Sequence, residues 1–185
     1  RMHQTTITAS HVLRDPLFTV APDGPDRPLT LPALIARLLA GPEDVLSFPH
    51  VTPIQRSYWY RFLVRCAAKA LHAMGLDVQR ASTMAAAELS EGIEAALVEA
   101  AGSDEAWRLF QPDPLLTGFL QPPTPDGQAP ENGYAEESTS LLTTAIGSKN
   151  HERKVDVDRS LTTEQTVYAL VEYQSGVIFG GRGNY

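Results

Sequence analysis

Catalytic chemistry needs a nucleophile with a base, paired carboxylates in a defined setting, or a metal-ligand constellation. The five histidines stand at positions 3, 11, 50, 72 and 151, and no His-x-x-x-His, His-Glu-x-x-His or Cys-x-x-Cys spacing occurs. His50, between Pro49 and Val51, reads as a turn residue, and His151-Glu152 on an extended segment would point to opposite sides of the chain. The single cysteine, Cys66, excludes an intrachain disulfide and any cysteine-rich zinc module. Gly180-Gly181-Arg182-Gly183 has the glycines of an anion-cradling loop but lacks the Gly-Lys-Ser/Thr ending and follows a helical segment instead of a strand. These patterns predict neither an enzyme nor a bound cofactor or metal.

What the residues do offer is phosphate and base-edge chemistry. Lys149, Asn150, His151, Arg153 and Lys154 cluster after Gly147, and Arg182 sits on a glycine backbone that can approach a sugar–phosphate chain. Lysine and arginine neutralise phosphates, and asparagine can read base edges. A third basic set, Arg61, Arg65 and Lys69, recurs every four residues, which suits either a nucleic-acid backbone or a protein partner. An exposed turn or a solvated helix face would carry the same charges.

The elements that position these residues follow from caps and periodicity. Thr30 before Leu31-Pro32 opens a helix that Gly41-Pro42 stops. Thr52-Pro53 opens a long helix over 53–74, closed by Gly75, with Trp59, Phe62, Leu63, Cys66, Ala70, Leu71 and Met74 on the core arc and the basic stripe, continued by His72, opposite. Residues 83–101 predict an amphipathic helix ended by Gly102, Trp107 and Phe110 a short one, and Thr162 with Gln165 a capping box opening another. Strands are expected at 17–20, at 7–13, around 153–158 and at 177–179. The fold class is therefore α+β, mostly helical with short strands, and the Pro/Gly/Asp/Glu/Asn composition of 121–138 predicts a mobile loop within one unit spanning 1–185.

The formal net charge of −7 is unevenly spread. Residues 1–80 hold nine cations against six anions, 81–140 one against eleven, and 141–185 five against five. The acidity is confined to the middle, so the overall value does not exclude local contact with nucleic acid. With no long uncharged apolar run and no leader pattern, the expectation is a cytoplasmic protein without a membrane span.

The order of short motifs resembles the amino-terminal part of the CasA family, the large subunit of the type I-E CRISPR Cascade complex. Leu13-Arg14-Asp15-Pro16-Leu17-Phe18-Thr19-Val20 is similar to the family's opening "L-x-x-x-W-I-P-V", with Leu17 in place of Trp and Thr19 in place of Pro. Trp107-Arg108-Leu109-Phe110 and Phe119-Leu120-Gln121-Pro122 are similar to its "F…P-F-x-Q", and Leu141-Leu142 with Gly147-Ser148-Lys149-Asn150 to its "L-L…G-x-x-N" loop. The glycine run after the helix that begins near Thr162 also corresponds. The resemblance implies the amino-terminal part of a mixed α/β large-subunit domain, in a chain that is a fragment or a shortened subunit.

It further implies a non-catalytic subunit for antiviral defence. Its partners would be other Cascade subunits, the 5′ end of the guide RNA, and double-stranded target DNA in which it helps recognise the protospacer-adjacent motif. Of the family's contacts only those of the loop around Lys149, Asn150 and His151 carry over. The alternative reading is a helical protein–protein interaction domain, using the Arg61/Arg65/Lys69 stripe or the acidic block, with no nucleic-acid role.

Overall fold

The computed structural model describes residues 10–21, 23, 26–41, 47–111, 113, 115–121 and 161–176. Among the described residues five helices form, α1 (Leu31–Ala40), α2 (Pro53–Met74), α3 (Val78–Ser82), α4 (Ala86–Ala101) and α5 (Thr163–Gly176), with a 3-10 turn at Glu105–Trp107; threonine caps open α1, α2 and α5. At the start of α2, Gln55 N–H donates to Thr52 Oγ1 at 3.3 Å while Thr52 N–H donates to Gln55 Oε1 at 3.2 Å, satisfying two otherwise orphan donors. The same reciprocal pair opens α5 through Thr162 and Gln165, at 3.2 and 3.0 Å. Gly75, at φ 65°, supplies the left-handed residue that ends α2.

The α+β expectation is overturned. Helix accounts for 59% of the described residues, and no β-strand occurs among them. Residues 17–20 contribute one antiparallel bridge, Phe18 with Leu29, closed by N–H···O bonds of 2.9 and 2.8 Å. Of the expected strand over 7–13, residues 10–13 are described and form none. His11 bridges Arg108, but Arg14 and Asp15 N–H both turn back to the His11 carbonyl, and the Asp15 carboxylate accepts from His11 N–H at 2.8 Å. That local side-chain bond back to the backbone competes with any ladder, and Pro16 removes a donor. The apolar alternation there arises because Val12, Leu13, Phe18 and Val20 are all buried from an irregular segment. The expected strands around 153–158 and 177–179 and the expected loop at 121–138 lie outside the described residues.

Helix α4 packs against both α1 and α2, α2 also packs against α5, and α3 lies against α1. Trp59 of α2 centres the core: it stacks on Phe18 at 5.2 Å, meets Tyr168 of α5 edge-on at 4.7 Å and Phe48 at 5.9 Å, and stacks on Phe62 at 5.5 Å. Phe62 passes the contact to Phe119, which lies 5.8 Å from Trp107. Each such pair adds about 0.5–1.5 kcal/mol beyond area burial. Several of the described residues behind the family resemblance have framework roles. Leu13, Phe18, Trp107 and Phe119 are core, and the Gln121 amide donates to the Leu109 carbonyl at 2.8 Å, closing the turn that carries Phe119.

Candidate nucleic-acid and partner interface

Of the residues predicted to contact a ligand, Arg61, Arg65 and Lys69 are described, whereas Lys149, Asn150, His151, Arg153, Lys154 and Arg182 lie outside the described residues. The predicted faces of α2 are the observed ones. Trp59, Leu63, Cys66, Ala70 and Leu71 are buried, while Arg61, Arg65, Lys69 and His72 are exposed on the opposite side. The 22-residue sequence of α2 contains four cations and no carboxylate. Among the described residues none of Arg61, Arg65 and Lys69 forms an ion pair. Two exposed apolar residues of the same helix escaped sequence reasoning: Val64 is 66% exposed and Ile54 52%. Helical periodicity sorts residues by type, and a valine placed outside the core arc gives no such signal.

Helix α4 has the opposite character. It carries Glu88, Glu91, Glu94 and Glu99 and no cation. Only Glu94 is paired among the described residues, accepting from Arg14 Nε at 2.9 Å; Arg14 Nη2 also lies 2.7 Å from Asp104 Oδ1. These carboxylates raise the arginine pKa, the hydrogen bond to Glu94 contributing most. Glu88, Glu91 and Glu99 face solvent.

A polar cluster that the sequence did not reveal holds α5 in place. The Glu164 carboxylate, 6% exposed, accepts from Thr19 N–H and from the Tyr168 hydroxyl, each at 2.7 Å, through Oε1, and Oε2 lies 2.6 Å from His50 Nδ1. A carboxylate only accepts, so Nδ1 carries the proton of that bond. His50, read from sequence as a turn residue, does sit at a turn and also anchors residues 114 positions apart. Burial first, then the adjacent carboxylate, push the Tyr168 hydroxyl well above its ordinary range. All four groups are spoken for within the fold, which makes the cluster a clasp.

Reactive chemistry finds little purchase elsewhere among the described residues. Cys66 is buried and its thiol is pushed up to about 12 by desolvation, so the nucleophilic thiolate is scarce at neutral pH. No group of three or more His, Cys, Asp or Glu that could hold a metal ion occurs there. An open cavity of about 600 Å³ between α1 and α4 is lined by Leu29, Ala33, Ala87, Ser90, Arg37 and Glu91 among others. Arg37 is paired with Asp23, whose carboxyl is held below its usual range mainly by that hydrogen bond. No helix of the described part is long and apolar enough to cross a membrane. Comparison with known protein families, with curated proteins and with solved structures gives no match to this chain.

Proposed function

We propose that the chain is a non-catalytic, nucleic-acid-binding subunit of an RNA-guided antiviral complex of the CRISPR Cascade type. It works in the cytoplasm with the other Cascade subunits, contacts the 5′ end of the guide RNA, and helps recognise the protospacer-adjacent motif in target double-stranded DNA. The observation that carries this reading is the ordered series of motifs resembling the CasA family, from Leu13 to the glycine run after α5. The framework roles of Leu13, Phe18, Trp107, Phe119 and Gln121 support it, because residues that set the path of the chain are the ones a divergent relative must keep.

In this account Lys149, Arg153, Lys154 and Arg182 neutralise phosphates and fix register, and Asn150 with His151 offers hydrogen bonds to bases or sugars. Guide pairing reads the target, and the protein reads only the short adjoining motif. Arg61, Arg65 and Lys69 face a backbone or a partner subunit. Neutralising Lys149, Arg153 and Lys154 together should weaken binding of the assembled guide-RNA complex to target DNA. It should also flatten the dependence of log K on log salt by about 0.9 per lost duplex phosphate contact. Unchanged affinity and slope across the salt titration would refute the proposal.

The exposed Ile54 and Val64 beside the basic row favour a second reading, a helical protein–protein interaction domain. Co-purification with a protein partner after nuclease treatment, with no RNA retained, would select it over the first.

A further inference from the structure

Two rows of uncompensated charge, opposite in sign and alike in spacing, lie on two exposed helix faces of this chain. On α2 the cations Arg61, Arg65 and Lys69 follow the i, i+4, i+8 ridge. On α4 the exposed positions Glu91, Ala95 and Glu99 follow the same ridge, with carboxylates at both ends and an alanine at the middle. Eight residues of α-helix rise about 12 Å, so the end-to-end spacing of the two rows is the same. Although α2 packs against α4 within the molecule, these particular charges find no ion-pair partner among the described residues.

We propose that the exposed face of α2 docks on the exposed face of α4 of a second copy of the chain. With the helices antiparallel, Arg61 meets Glu99 and Lys69 meets Glu91. Ala95 then stands opposite Arg65 and Val64, where its small side chain lets the two helices approach. Val64, 66% exposed in one copy, loses water against that alanine, a gain that a phosphate chain in the same place would not provide. The formal net charge of −7 opposes association at long range, yet at ordinary ionic strength that repulsion is screened beyond about 10 Å while charges in contact still act. Because the two faces differ, the contact is heterologous and extends to chains of copies or closes into a ring. This inference takes a second copy as the occupant of the Arg61/Arg65/Lys69 row, in place of the backbone or partner subunit named above, and needs none of the residues of the 149–154 cluster.

Sedimentation equilibrium of the nuclease-treated protein, over a micromolar to millimolar dilution series, tests it. The expected result is a mass that grows with concentration and falls back at high salt. Arg61→Glu with Lys69→Glu, or Glu91→Lys with Glu99→Lys, should each weaken association roughly tenfold or more, since like charges then face each other. All four positions are exposed, and an unchanged helical circular dichroism spectrum verifies that each variant folds. The two double variants mixed one to one should reassociate, and so should the quadruple charge-swapped chain. A monomer throughout the series overturns the proposal. So does association that ignores the charge reversals, that is not restored by the swap, or that disappears on nuclease treatment because nucleic acid was the bridge.

Discussion

At the scale of single residues, the polar groups inside the core lend themselves to direct tests. Glu164→Ala would strand the Thr19 N–H and the Tyr168 hydroxyl, both of which it accepts from at 2.7 Å. Each orphaned buried donor costs about 1–3 kcal/mol, so the midpoint of urea unfolding should fall clearly, and less for Glu164→Gln, which keeps one carbonyl acceptor. Glu172 is 3% exposed, and burial raises its pKa against a smaller opposing pull from its hydrogen bond with Gln55. A carboxyl with a raised folded-state pKa binds its proton more tightly folded than unfolded. Its contribution is therefore complete below the ordinary carboxylate pKa and lost as pH rises through the raised value. Glu172→Gln should remove that loss: its melting temperature should exceed the parent's at neutral pH, and the gap should close on acidification. Cys66 should resist iodoacetamide in the folded protein and react fully once unfolded. The burial of Cys66 follows from its place on the helical arc; the burial of Glu164 does not. A glutamate two residues after a capping threonine usually faces water, and only the convergence of Thr19 and His50, 145 and 114 positions away, brings it inside.

At the scale of elements, caps were the legible part of the fold. Thr30, Thr52 and Thr162 each sit at the start of a helix, and Gly75 and Gly102 end two with φ of 65° and 75°. Thr52→Ala should cost about 1 kcal/mol by opening the capping box, and Gly75→Ala about 1–2 kcal/mol by forcing a Cβ into the left-handed region. Both losses are readable as lower melting temperatures by circular dichroism. The strands were misread because alternation reports burial on one side, which an irregular segment pinned at Phe18–Leu29 and at His11–Arg108 achieves without a ladder. The helix expected over 83–101 is α4, which begins at Ala86 without a side-chain cap, and a short helix not expected from the sequence, α3 at Val78–Ser82 capped by Asp77, precedes it. The Asp77 carboxylate takes Arg80 N–H at 2.8 Å, a local bond strong enough to start a five-residue helix that apolar periodicity cannot register.

At the scale of the molecule, the segregation of charge into an acid-free α2 and a cation-free α4 survives folding, so the split visible along the sequence becomes a split across the surface. The basic row of the candidate interface was legible because Arg61, Arg65 and Lys69 share a helical spacing; the exposure of Val64 and Ile54 was not, since their residue types are ones that composition assigns to a core. The central claim, a subunit that works on nucleic acid within a larger assembly, is tested most directly by what the chain carries when purified from cells that also make the other subunits and a guide RNA. The account predicts a discrete guide-sized RNA and the other subunits in stable association. A chain that elutes free of RNA and of those subunits would contradict it.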